Sequence, residues 1–118
     1  MSELMFPKTG IKKKRKKHRE SILQKKDGEC FLCAIEGDHQ THLCLHRHHI
    51  FGGANREKSE EYGLTVYLCP DCHLYGERAA HINKETAALL HKIGQQAFEK
   101  TYPDKNFREI FGKNYIWH

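Results

Sequence analysis

No stretch of the chain carries about 18 apolar residues in succession, so neither a transmembrane helix nor a membrane partner is expected. The first residues hold no apolar run ahead of their basic block, so a secretory signal is not expected either. A reducing, cytoplasmic compartment is the working expectation, and there paired cysteines read as metal ligands before disulfides. Apolar bulk is scarce. Only 38% of the 118 residues are hydrophobic, against 30% charged, a low share for a one-domain chain that must build its core unaided. Small chains that fall short draw on disulfides, a metal or a partner. Five Cys and ten His make metal the first candidate. Internal repeats are absent as well.

Acidic residues are nearly missing from the first 26 positions. That segment holds ten Lys/Arg against two Glu, a charge of +8, whereas residues 27–118 hold ten against thirteen, a charge of −3. The basic character belongs to an arm over 1–26, and the body over 27–118 is mildly acidic. Lys12, Lys13, Lys14, Arg15, Lys16, Lys17 and Arg19 form an almost unbroken block. Such a block repels itself and is expected to be disordered alone. Its functional reading is a sequence-blind grip on DNA phosphates, driven by counterion release. A solvated tail or a localisation patch is the plainer alternative. From Arg19 to Lys26 a partly helical approach to the body is expected.

Two Cys-x-x-Cys pairs, Cys30/Cys33 and Cys69/Cys72, stand 35 residues apart. Four thiolates suit a closed, tetrahedral, structural Zn²⁺ that supplies folding energy to a small core. Cys44 reads as a small buried hydrophobe on a strand. The intervening segment must hold structure of its own. Leu43 to Ile50 alternates, with Leu43, Leu45, Arg47 and His49 on one face and Cys44, His46, His48 and Ile50 on the other, as in a strand. Gly52–Asn55 reads as a loop. Leu64–Leu68 is β-branched and aromatic, a second strand, and a short helix follows the second cysteine pair. Farther on, Asn83 is a candidate helix cap. Leu89, Leu90, Ile93 and Ala97 make an apolar stripe to about Lys100. Pro103-Asp104 is expected to break and recap the chain. Phe107, Ile110 and Phe111 form a second stripe that Gly112 ends. Both stripes read as core.

Among the histidines, His48 and His49 fall on opposite faces of one strand, so they should do different jobs. His48 and His73 could converge as an open metal site, with His49 beside it as a general base that titrates near neutrality. Polar surface histidines near a structural zinc are the alternative, and His39, His42, His46 and His91 are assigned to it.

These residues together resemble the HNH, or ββα-metal, nucleases. The pattern is matched by Cys30-x-x-Cys33, His48-His49-Ile50, the strand Leu64–Leu68 and Cys69-x-x-Cys72-His73. The resemblance implies an α+β fold: a small zinc-stapled ββα-metal domain with C-terminal helices. It places His49 as general base, and His48 and His73 as ligands of a catalytic divalent ion. Imidazole favours Mn²⁺ among such ions, while Mg²⁺ is the abundant physiological candidate. His81 is a candidate third ligand or phosphate-binding group if Gly76 turns the chain back, with capping or packing as its alternative. The Asn of the HNH name has no clear counterpart. Asn55 is the one Asn between the two catalytic segments, and a backbone carbonyl could orient His49 in its place.

A narrower likeness runs through His48–Gly53, Tyr62–Pro70, His81-Ile82-Asn83 and Phe111–Tyr115. These runs are similar to phage-encoded recombination-enhancement nucleases, which cut DNA at strand-exchange structures in a RecA-dependent way. It implies phage or prophage origin, action in the bacterial cytoplasm, and RecA filaments on DNA as partner. The alternatives are a RecA-independent phage HNH nuclease for packaging or homing, a non-catalytic zinc module that binds DNA or a protein, and a structural phage protein.

Overall fold

The computed structural model describes residues 19–116. The basic run Lys12–Lys17 therefore lies outside the described residues. The elements are α1 (Phe31–Ile35), β1 (His46–His49), α2 (Arg56–Tyr62), β2 (Thr65–Leu68), α3 (Lys84–Thr101) and α4 (Phe107–Phe111). A 3₁₀ turn at Gly53–Asn55 leads into α2, and a single π turn at Asp71–Tyr75 follows β2. The fold is a small α+β arrangement of one two-stranded sheet and helices.

β1 and β2 pair antiparallel, with His46 opposite Leu68, Arg47 opposite Tyr67, His48 opposite Val66 and His49 opposite Thr65. The alternation holds in β1, but the strand is shorter than Leu43–Ile50. Leu43 and Cys44 precede it and are exposed, so Cys44 is not the buried hydrophobe that the alternation suggests. Val66 and Leu68 are fully buried and lead the core. Ile50, Phe51, Leu64, Leu90, Phe98, Phe107 and Phe111 complete it.

α2 has no counterpart in the sequence pattern, where Gly52–Asn55 reads as a loop and nothing marks an element before Tyr62. Its sequence, Arg56–Tyr62, has a single buried residue, Ser59. The Ser59 hydroxyl donates to Phe51 O at 2.7 Å and accepts from Phe51 N at 3.0 Å, tying α2 to the chain just beyond β1. Gly63 ends α2 at φ +74°, and a Cβ there would meet Glu20 O at 2.7 Å. Only glycine combines that left-handed turn with so close an approach.

The neighbour at Gly63 is a strap, residues 19–26, along the free edge of β2. Ile22 N donates to Gly63 O, Ser21 Oγ to Thr65 O, and Tyr67 N to Gln24 Oε1. The helix expected over Arg19–Lys26 is not there: the segment bends at Ile22-Leu23, where Ser21 Oγ accepts from Leu23 N and Gln24 N, and the bonds to β2 fix it against the strand edge. Residues 19–26 thus pack on the body, on the arm side of the boundary expected after Lys26.

Asn83 caps α3 through Thr86 N at 3.0 Å. The buried face of α3 is Thr86, Leu90, Gly94, Gln95 and Phe98. Leu89 is a correction: it stays 39% exposed. Gly94 lets α3 lie directly on the end of β1, since a Cβ there would meet Ile50 Cγ2 at 2.9 Å. Asn106, not Pro103-Asp104, caps α4, accepting from Glu109 N at 3.1 Å. Phe107 and Phe111 are buried, Ile110 packs against them, and Gly112 closes the helix at φ +82°.

Candidate functional site

Cys30 is the residue before α1, and Cys33 lies within its first turn. Cys69 directly follows β2, and Cys72 sits in the π turn. The hairpin register brings the two pairs together, and the four Sγ atoms lie within 4.8 Å of one another. Cys33 Sγ is 4.0 Å from Cys69 Sγ and 3.7 Å from Cys72 Sγ. Tetrahedral zinc with Zn–S bonds near 2.3 Å separates its sulfurs by about 3.8 Å. The four cysteines therefore fit such an ion and could hold it. Burial, then hydrogen bonding and charge from Cys30, pushes the Cys33 thiol up to about 12. Cys72 rises for the same reasons. Cys30 moves down: burial opposes the shift, and backbone N–H groups of Cys69 and Cys33 outweigh it. Four thiolates need a cation among them to coexist, which is what a bound metal supplies.

A second cluster stands on the buried face of the sheet. His48, His73 and His81 each present a ring nitrogen within 4.8 Å of the others. His73 is in the π turn. That turn stops at Gly76, and the chain folds back so that His81 N donates to His73 O at 3.2 Å. The Nε2 atoms of His73 and His81 are 3.0 Å apart. Ligands on metal–nitrogen bonds near 2.1 Å stand about 3.0 to 3.4 Å apart, so this trio also suits one ion. Burial, then the His73 and His81 charges, holds His48 down at about 3, and burial with His81 and His46 holds His73 down at about 4. Both shifts favour the neutral ring, the form that ligates a metal.

His46 does not join the surface histidines. Its Nδ1 is 2.9 Å from His73 Nδ1. The alternation puts His46 on the His48 face, so the signal is present in the sequence. His91 also leaves the surface group, stacking on Phe51 at 5.2 Å. His39 does stay outside, paired with Glu29 at 2.9 Å.

His49 lies on the other face of β1. Its Nε2 is 2.9 Å from Glu60 Oε1, and the second Glu60 oxygen takes Arg47 Nη2 at 3.1 Å. Among the described residues, His49 Nδ1 makes no hydrogen bond. A carboxylate, and not a backbone carbonyl, thus holds this imidazole. Glu60 is not legible in the sequence because α2 is not. Asn55 is elsewhere: its side chain donates to Phe111 O at 3.0 Å, tying α2 to the end of α4. Arg19, expected on DNA, anchors the strap, donating to the Tyr102 hydroxyl at 3.0 Å while its carbonyl takes Arg47 Nη2 at 3.0 Å.

No family model matches the chain, and no curated protein or solved structure matches it at a significant level. Among the described residues no helix is long and apolar enough to cross a membrane.

Proposed function

We propose that the chain is a metal-dependent DNA endonuclease of the HNH, ββα-metal type, acting with RecA filaments as the phage recombination-enhancement nucleases it resembles do. The observation that carries the reading is the division of labour on successive residues of β1. His48 belongs to a cluster of three imidazoles at metal-ligand spacing, and His49 is held by a carboxylate through one nitrogen only.

In this reading His48, His73 and His81 would hold a divalent ion, Mg²⁺ or Mn²⁺, which when bound would supply charge neutralisation at the phosphate. His49, turned by Glu60, accepts a proton from water at Nδ1 as the water oxygen bonds to phosphorus. The bond from phosphorus to the 3′ oxygen breaks, and that oxygen takes a proton from solvent. The ends are a 5′-phosphate and a 3′-hydroxyl, as the resemblance implies. Zinc at Cys30, Cys33, Cys69 and Cys72 keeps the two knuckles together and takes no part in proton transfer.

The test is cleavage of supercoiled plasmid and of D-loops, with and without RecA, in EDTA or in added Mg²⁺. Cleavage that needs the metal is expected, with D-loops cut only when RecA is present. Metal-dependent cutting without RecA leaves an HNH nuclease of packaging or homing type. DNA binding without any cutting leaves a non-catalytic zinc module.

A further inference from the structure

The face of the sheet that carries His49 has a second feature. Arg47 and Tyr67 are cross-strand partners, so their side chains share that face. The strap, bonded to Arg47 through Arg19 O and to Tyr67 N through Gln24, borders an open groove of about 970 Å³ beside them. Arg19, Lys25, Lys26 and Arg47 line it, with Glu20 the one acidic side chain in the lining. Lys25 and Lys26 are exposed. With Arg47 paired to Glu60, these two exposed lysines make the groove positive, on a body whose residues 27–118 sum to −3. Its floor is aromatic: Lys26 Nζ lies 5.9 Å from the Tyr67 ring centroid. Arg47 spans from the groove to Glu60, and Glu60 holds His49.

We propose that this groove binds a single-stranded segment of nucleic acid and leads it toward His49. Lys25 and Lys26 take successive phosphates, and one base stacks on Tyr67. The choice of a single strand follows from chemistry. A cation-lined track beside a half-buried ring that lines the groove can hold an unpaired strand, whereas a duplex keeps its base faces stacked and would use the lysines alone. The proposal rests on the reading of the chain as a DNA enzyme only for the identity of the polyanion.

The test measures binding and not cleavage, so a failure of the nuclease reading does not enter it. Fluorescence anisotropy of the full chain, purified with its zinc and without added divalent ion, is read on a labelled deoxythymidine oligonucleotide and on a duplex. For Lys25→Ala/Lys26→Ala the slope of log K against log salt on the single strand should become shallower by about 1.4, or 0.7 per phosphate. Lys92→Ala/Lys100→Ala on α3 removes the same charge elsewhere and should leave the slope unchanged. Tyr67→Leu, which keeps apolar bulk, should weaken the single strand about tenfold and the duplex by less than twofold. If Tyr67→Leu does not fold, Tyr67→Ile takes its place. Wild-type binding by the groove variants, equal losses on single strand and duplex in the Tyr67 variant, or an equal loss in the α3 control would overturn the proposal.

Discussion

At the scale of single residues, β1 carries most of the candidate site. Because alternate side chains face opposite ways, one four-residue strand serves the imidazole cluster with His46 and His48 and the carboxylate network with Arg47 and His49. His49→Ala should leave folding and DNA binding unchanged and lower cleavage about a hundredfold or more. Glu60→Gln keeps the shape but removes the charge that Arg47 and His49 share, so cleavage should fall about tenfold with little change in substrate affinity. Single-turnover rates at saturating DNA check both, and full activity in His49→Ala sinks the assignment. His48, His49, His73 and His81 are legible from type and spacing. Glu60 is not, because one of three glutamates in a polar run carries no signal until a helix aims it. Cys44 misleads for the opposite reason: an alternating pattern does not show where pairing begins.

At the scale of elements, what is legible follows apolar periodicity. β2, α3 and α4 bury faces whose spacing is visible, and their caps at Asn83 and Asn106 are side-chain acceptors. α2 is invisible because it buries one serine, held by Phe51, and no apolar stripe. The α3 stripe is shifted by one residue: the face on the sheet passes through Gly94, where closeness of backbone replaces side-chain bulk. Gly94→Val should therefore collide with Ile50 and Phe51 and cost about 1–3 kcal/mol by overpacking. For a chain of this size that lowers Tm by roughly 5–15 °C. A thermal melt followed by circular dichroism measures it, and an unchanged Tm would mean that α3 stands farther from β1.

At the scale of the whole molecule, two clusters join segments far apart in sequence, and folding is expected to depend on the cysteine cluster. Cys69→Ser removes one of four sulfurs, so the domain should lose its zinc and unfold or become insoluble. One zinc per chain in the purified wild type, and none in the variant, is the expected metal analysis. Acid should act in the same direction through the histidines. His48 and His73 sit at about 3 and about 4 in the folded chain, below the value of about 6.5 for an unperturbed histidine. Between those limits the unfolded chain binds protons that the folded chain does not. Their share of stability is complete above about pH 6.5 and drains away as pH falls toward 4. Urea midpoints at stepped pH check the sign, and a midpoint that rises on acidification contradicts it.

The N-terminal segment divides at Arg19: residues 1–18 carry the basic block expected to grip DNA, and residues 19–26 hold the sheet edge and line the groove. Residues 1–18 carry seven Lys/Arg and one Glu. Deleting them should make the salt slope of duplex binding shallower by about 0.9 for each phosphate no longer neutralised, while Tm stays put. Deleting residues 1–26 should do more. It strips the strap from β2, leaving Gly63 O, Thr65 O and Tyr67 N without the partners that Ile22, Ser21 and Gln24 supply. It also uncovers the core beneath Ile22 and Leu23, which pack on it. Half-buried side chains of that size contribute about 1 kcal/mol each, and each unmet backbone group at a strand edge adds a fraction of that. The longer deletion should thus lower Tm by roughly 10 °C or more relative to the shorter one. It should also raise aggregation, because an open edge invites pairing with another chain. Equal melting of the two truncations would show that the strap is an ornament of the fold.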